Sequence, residues 1–210
     1  MRVLVVEDQK IVAEMLTTAL GVAEDVCIVG TANSAEEALS LARVHHPDVV
    51  LMDYGLPDGD GVSAAEAIRA ARPETKVVIM TGYADDATLL RAIEAGCSGF
   101  VTKGQDLGTL LSALRSADAG EALMPPDVLR RLLPRLSPTH RGVGWDLTAR
   151  EIDVLTLVAE GLANREIAAR LGIQVTTARN HVQNILAKLG AHSKLEAVAV
   201  AYREGVITRP

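Results

Sequence analysis

The stretch DVVLMDYGLPDGDG, residues 48–61, decides the fold. Its apolar run Val49-Val50-Leu51-Met52 has the length and continuity of a strand buried on both faces. Asp53 closes the run, and Tyr54-Gly55-Leu56-Pro57-Asp58-Gly59 reads as the turn that follows. A carboxylate at the carboxyl end of a buried strand stands where open α/β sheets place their ligands. The same grammar recurs on both sides. Val3-Leu4-Val5-Val6 runs into Glu7 and Asp8, Val77-Val78-Ile79-Met80 into Thr81, and Phe100-Val101-Thr102 into Lys103. Four strand ends thus deliver three carboxylates, a hydroxyl and an ammonium to one sheet edge.

Strand-like runs at 2–6, 26–31, 48–52, 76–80 and 99–102 alternate with helical patterns at 10–20, 35–44, 62–71, 86–95 and 107–118. Five βα units call for a doubly wound, parallel five-stranded sheet. After Ala119-Gly120 the strand pattern stops, so residues 1–119 form one domain. Residues 120–145 read as a linker. They carry a short helix at about 127–136, opened by Pro125-Pro126, and a loop from Ser137 to Gly144. Residues 146–210 read as an all-helical second domain.

The charge divides unevenly between the parts. Residues 1–119 hold 9 Lys/Arg against 18 Asp/Glu, whereas residues 120–210 hold 12 against 9. An acidic module is therefore joined to a basic one suited to polyanions. Apolar residues make up 49% without a run long enough to span a bilayer, so no membrane partner is expected. Met1-Arg2 leads directly into the first strand, and no signal peptide is expected. Cys27 and Cys97 suggest no disulfide framework, and a cytoplasmic protein is the simplest expectation. His45, His46, His140 and His192 have no partners at metal-ligand spacing.

Residue types at the sheet edge point to phosphoryl transfer onto an aspartate. Such transfer needs a nucleophilic oxygen and neutralisation of charge on the phosphoryl oxygens. Three clustered acids repel one another unless a cation joins them, and Mg²⁺ is commonly bound through one or two carboxylates. Glu7, Asp8 and Asp53 suit that ion, Lys103 supplies a compact positive charge, and Thr81 a hydrogen-bond donor. Gly82 leaves the approach open. Singly these residues have plainer roles: Asp8 as a helix cap, Asp53 and Asp58 as turn residues, Lys103 as a solvated charge. Together, at the ends of four apolar runs, they favour a site.

The second domain has helical punctuation. Thr148 and Glu151 form a capping box that opens a helix over 149–159, with Ile152, Leu155, Val158 and Ala159 on its inner face. Asn164 caps a second helix ending at Leu171, Val175–Leu189 forms a third, and Lys194–Arg203 a fourth. The corner Leu171-Gly172-Ile173-Gln174 between the second and third helices is a helix-turn-helix arrangement. On the third helix Ala178, His181, Val182, Ile185, Leu186 and Leu189 share an inward stripe. His181 there reads as a packing residue. Thr176, Thr177, Arg179, Asn180, Gln183, Asn184 and Lys188 lie on the remaining faces, as major-groove readout requires.

The motifs VVED, DVVLMDYGLPDGDG, VVIMTG and GFVTK resemble the receiver domain of two-component response regulators. The segment LTAREIDVL, with EGLANREIAARLGI and TTARNHVQNILAKLGAHSKLEAV, resembles the LuxR-type helix-turn-helix. Together they are similar to the NarL/FixJ class over nearly the whole chain. The resemblance implies Asp53 as phosphoacceptor and Glu7, Asp8, Asp53 and the Gly55 carbonyl as the Mg²⁺ site. It implies Thr81 and Phe100 as the switch pair and Lys103 as the phosphate-contacting lysine. It places base contacts on Arg179, Asn180 and Gln183. Phosphate contacts fall on Thr177, Lys188 and Arg165, with Thr176 also at the DNA surface. The implied partners are a sensor histidine kinase, promoter DNA, a second copy of the chain through the fourth helix, and RNA polymerase. Two positions depart from the family pattern. Gly104 stands where a proline is common, so a cis bond is not assumed, and Phe100 replaces a tyrosine, limiting its movement to packing.

Two other classes share part of this pattern. Haloacid-dehalogenase phosphatases also use a strand-end aspartate and Mg²⁺, but need a general acid two residues on, where this chain has Gly55. Turnover of external substrates is therefore not expected, although slow loss of the protein's own phosphoryl group is. A constitutive DNA-binding protein with a vestigial receiver would have an eroded acidic cluster, and this one is complete. A phosphorylation-controlled transcription regulator uses both sites.

Overall fold

The computed structural model describes residues 1–82, 86–121 and 147–207. The chain divides into two compact units, Met1–Leu123 and Met124–Pro210. The helix expected at 127–136 and the loop from Ser137 to Gly144 lie outside the described residues.

The first unit runs β1 (Arg2–Val6), α1 (Lys10–Leu20), β2 (Cys27–Ala32), α2 (Ala35–His45), β3 (Val49–Asp53), β4 (Gly55–Leu56), β5 (Gly59–Asp60), α3 (Gly61–Ala71), β6 (Lys76–Thr81), α4 (Asp86–Glu94), β7 (Gly99–Thr102) and α5 (Leu107–Asp118). Strands β2, β1, β3, β6 and β7 form a parallel sheet in that order. Counting these five alone, the order is the flavodoxin-like 2-1-3-4-5 that the resemblance to receiver domains implies. The turn after Asp53 is more regular than a loop: β4 and β5 pair antiparallel, Gly55 with Asp60 and Leu56 with Gly59.

Alternation along the strands builds two core layers. Leu4, Val6, Val50, Met52, Val77 and Ile79 face Ala38 and Ala42 of α2 and Ala65 and Ile68 of α3. Val3, Val5, Val49, Leu51, Val78 and Met80 face Leu20 of α1 and Leu110, Leu114 and Ala117 of α5. Strands covered on both faces have no need of polar residues, which is why they read as continuous apolar runs. Each fully buried Leu or Ile contributes about 1.5–3 kcal/mol, fixing a sheet whose carboxyl ends can carry unfavourable charge.

The second unit contains α6 (Ala149–Ala159), α7 (Asn164–Leu171), α8 (Val175–Leu189) and α9 (Lys194–Arg203). Helices α6, α7 and α9 all pack against α8. The box at the start of α6 forms as expected: the Thr148 hydroxyl accepts from Glu151 N–H, and Glu151 Oε2 accepts from Thr148 N–H at 2.7 Å. Gly172 adopts φ +65° at the α7–α8 corner, where a side chain would be strained, and Ile173 N–H closes back on the Ala168 carbonyl.

Two local expectations need correction. Ile152 is 36% exposed, and the inner face of α6 instead carries Glu151, Val154, Leu155, Leu157, Val158 and Ala159. Packing turns the capping-box residue Glu151 inward. Asn164 does not cap α7; it is the first helical residue and is buried, while Ala163 precedes it and donates its N–H to Glu166 Oε2 at 2.8 Å. Gln9, rather than Asp8, precedes α1, which leaves Asp8 available to the sheet edge.

Candidate phosphorylation site and DNA-recognition surface

Register explains why Glu7 and Asp53 meet. Val6 of β1 pairs with Met52 of β3, so the next residues on each strand, Glu7 and Asp53, stand side by side. Adjacent strands are about 4.8 Å apart, the distance over which two carboxylates can share a cation. Glu7, Asp8 and Asp53 each offer an oxygen within 4.8 Å of the others. Glu7 is 1% and Asp53 4% exposed, whereas Asp8 is exposed and closes the cluster on the solvent side.

β7 completes the edge. Thr81 pairs with Thr102, and Lys103 N–H continues the ladder to the Thr81 carbonyl at 2.7 Å. From there the Lys103 ammonium crosses β6 to reach Asp53 Oδ2 at 2.8 Å and Glu7 Oε2 at 2.9 Å. Burial would push Lys103 down, but its hydrogen bonds to Asp53 and Glu7 outweigh that and hold it above its ordinary value. Glu7 is raised as well, but there burial prevails. Its burial, with the neighbouring Asp53 charge, raises its carboxyl despite the bond from Lys103. One ammonium cannot neutralise three carboxylates. The donor set fits a hard divalent cation held by oxygens, and Mg²⁺ chemistry in particular. Thr81 is buried at the end of β6, and Phe100 is half-buried against the core layer beneath α2 and α3. No cis peptide is found among the described residues, Lys103–Gly104 included.

The loop carrying Gly55 is held at two points that the sequence did not disclose. Asp58 accepts from the N–H groups of Ala35 and Glu36 at 2.8 and 3.0 Å, tying the loop to the start of α2. Asp60 caps α3 through Val62 and Ser63 and pairs with Arg91 of α4 at 3.1 Å. Gly61 is required for a further reason: a Cβ there would collide with the Asp53 carbonyl oxygen. The DGDG run hints at this turn, but only the fold shows which backbone it meets. A Cβ at Gly82, by contrast, would meet nothing within 4 Å.

On α8, Ala178, Val182, Ile185 and Leu189 are buried and His181 and Leu186 half-buried, while Thr176, Thr177, Arg179, Asn180 and Gln183 are exposed. Arg165 is exposed on α7. The structure thus places the expected contact residues on one solvent-facing stretch of the helix-turn-helix unit. Lys188 differs: its ammonium donates to Glu151 Oε2 at 2.8 Å. None of the ten residues of α9 is exposed.

Two family models account for these two sites. The response regulator receiver domain matches residues 3–115, and the bacterial regulatory proteins of the luxR family match residues 146–201. The chain belongs to the LuxR-type response regulators. Relatives match this response regulator from end to end. The transcriptional regulatory protein LnrK of Bacillus subtilis (strain 168) is 33% identical over 98% of both chains. The response regulator protein VraR of Staphylococcus aureus is also 33% identical, again over 98% of both. Among solved structures, a LuxR-family two-component response regulator from Aurantimonas sp. SI85-9A1 is 34% identical, with a TM-score of 0.59, over 64% of this chain and 96% of that one. The response regulator ChrA of a heme-sensing two-component system covers 98% of both chains at 30% identity and a TM-score of 0.52. The response regulator described here is therefore a transcription regulator with a receiver domain and a LuxR-type DNA-binding domain, and not an enzyme of the usual kind.

Proposed function

We propose that Asp53 is the phosphoacceptor, that Mg²⁺ is held by Glu7, Asp8, Asp53 and the Gly55 carbonyl, and that phosphorylation controls dimerisation and promoter binding. The observation that carries this reading is the surplus of charge: three carboxylates lie within 4.8 Å of one another, and among the described residues one lysine, Lys103, pairs with two of them, Glu7 and Asp53. Mg²⁺, when bound, supplies charge neutralisation for phosphoryl oxygens. An Asp53 carboxylate oxygen attacks the phosphorus of a phosphohistidine on a sensor kinase. The phosphorus–oxygen bond forms as the phosphorus–nitrogen bond breaks, and the electron pair returns to the imidazole. Lys103 exchanges part of its contact with Asp53 for a phosphoryl oxygen, and the Thr81 hydroxyl turns to donate to another. Phe100 then packs into the space Thr81 leaves. Slow hydrolysis of the acyl phosphate returns the resting state.

The added charge of about −1.5 to −2 at Asp53 biases the equilibrium only as far as it binds one state better than the other. A second copy of the chain docks through α9. A two-fold dimer would read paired half-sites. In that complex Arg179, Asn180 and Gln183 face base edges, and Thr176, Thr177 and Arg165 face the backbone. RNA polymerase is a further proposed partner, and the cytoplasm the proposed location.

The test is labelling with a small phosphodonor in Mg²⁺, followed by dimerisation and DNA affinity with and without beryllofluoride. Asp53→Asn should take up no acid-labile label, and beryllofluoride should strengthen both dimerisation and DNA binding in the wild type. Undiminished labelling of Asp53→Asn would remove the assignment. A mimic that binds without changing either quantity would leave a constitutive regulator.

A further inference from the structure

The first turn of α6 grips both helices of the helix-turn-helix unit. Arg150 donates to the Leu171 carbonyl at 2.8 Å, closing the end of α7. Its neighbour Glu151 is 3% exposed and receives Lys188, which lies one residue before the end of α8. Glu151 Oε2 also accepts from the Thr148 N–H at 2.7 Å and hydroxyl at 3.0 Å, so one carboxylate oxygen joins helix cap and lysine.

Lys188 lies at the far end of α8 from Thr177, Arg179 and Asn180. Arg179 and Lys188 are nine residues apart, about two and a half turns, so they lie on opposite flanks of α8, whereas Thr177 shares the stripe of Lys188. Arg179 is exposed, and the Lys188 ammonium, on a partly exposed side chain, reaches back to the start of α6. The buried residues of α8 are apolar: Ala178, Val182, Ile185 and Leu189. Such contacts have no directional preference, so they tolerate rotation and tilt of a helix on its bed. A charge-assisted bond at one end fixes both. From Lys188 to Thr177 the helix extends about 16 Å, so a tilt of about 10° would displace the reading end by about 3 Å, a hydrogen-bond length.

We propose that Glu151 and Lys188 are positioning residues for DNA recognition, locking the far end of α8 to the first turn of α6 so that Thr177, Arg179, Asn180 and Gln183 meet the groove at one angle. Lys188 then serves the interface through the buried Glu151, in place of the phosphate contact its charge suggests. The inference rests on α8 being the recognition helix.

The experiment uses the full chain with beryllofluoride and Mg²⁺, a duplex selected from a random pool by the wild type, and a scrambled duplex. Affinity is measured across a salt series for Glu151→Gln, Lys188→Met and the double variant, well below each variant's unfolding midpoint. Glutamine serves at the third position of a capping box, so Glu151→Gln removes the charge while keeping the cap. Each single variant should weaken binding to the selected duplex about tenfold, and the double should be no worse than the weaker single. The salt slope should stay at the wild-type value. A slope shallower by about one ion in Lys188→Met, with Glu151→Gln binding normally, would make Lys188 a phosphate contact and overturn the proposal. Normal binding by both singles would overturn it as well. Arg179→Ala, run alongside, should lose base preference; if it does not, the recognition face is misassigned whatever the pair does.

Discussion

Each domain of this protein buries a glutamate beside a lysine, and the two pairs behave oppositely. Glu7 meets Lys103 at the edge of the receiver sheet, and Glu151 meets Lys188 in the helical domain. Burial pushes both carboxyls up. For Glu7 the Asp53 charge adds to that push and Lys103, shared with Asp53, does not overcome it, so the carboxyl stays above its ordinary value. For Glu151 the bonds from Lys188 and from the Thr148 N–H and hydroxyl outweigh burial, and the carboxyl falls below. A buried pair that balances its charges belongs to the architecture. One left with surplus negative charge is a receptor for something positive, at a standing cost to the fold.

The sharpest way to break this comparison is to remove a carboxylate from the surplus. Asp8→Ala should lower Mg²⁺ affinity at least about tenfold, read by calorimetric titration, because the remaining carboxylates are already engaged by Lys103. Unchanged affinity would mean that the surplus is not a metal site.

Next in size is the backbone beneath that surplus. Gly61→Ala should destabilise the receiver by about 1–3 kcal/mol, because its methyl must displace the Asp53 carbonyl, while Gly82→Ala should stay within about 0.5 kcal/mol. Chemical denaturation checks both. Equal effects would show that the loop yields freely.

Neutralising the two glutamates should move the domains in opposite directions. At neutral pH without metal, Glu151→Gln should cost the helical domain about 1.5–3 kcal/mol, the worth of a hydrogen bond to a charged group. Glu7→Gln should instead raise the receiver's unfolding midpoint, since it relieves repulsion with Asp53. Calorimetry of the full chain resolves the two transitions. A loss of receiver stability in Glu7→Gln would contradict the surplus.

The smallest expected effect is on pH dependence. Glu151 has a folded value below its unfolded 4.5, so its contribution is complete above about pH 4.5 and is lost as pH falls through the folded value. Glu7 is raised, so its carboxylate form costs stability as pH rises above about 4.5. The acid limb of the helical domain's stability should therefore flatten in Glu151→Gln. The receiver, followed without metal, should become relatively more stable toward acid in the wild type than in Glu7→Gln. Acid limbs of the same shape in both domains would erase the distinction.

Much of this was legible in the sequence because much of it is local. Apolar runs of four or five residues ending in Glu7, Asp53, Thr81 and Lys103 report strands covered on both faces. Thr148 with Glu151, and the stops at Gly172 and Gly190, report helix ends. These signals act over two to four residues of chain, so the sequence carries them without help from packing. The phase of a helix is less secure. On α6, Ile152 fits the apolar spacing yet lies exposed, because burying Glu151 rotates the inner face toward Val154 and Leu157.

By itself the sequence determined the order of elements, the acidic strand-end residues and the polar face of α8. Only the tertiary structure decided which charges meet. Strand register sets Glu7 beside Asp53 and brings Lys103 across β6 to both, although 96 and 50 residues separate them along the chain. Helix packing joins Lys188 to Glu151 across 37 residues, and the turn after β5 lays Gly61 against the Asp53 carbonyl. Periodicity and capping are properties of neighbouring residues, whereas an ion pair depends on how separate elements pack in space. Lysine on an exposed helix looks the same in sequence whether it faces a phosphate or a buried glutamate.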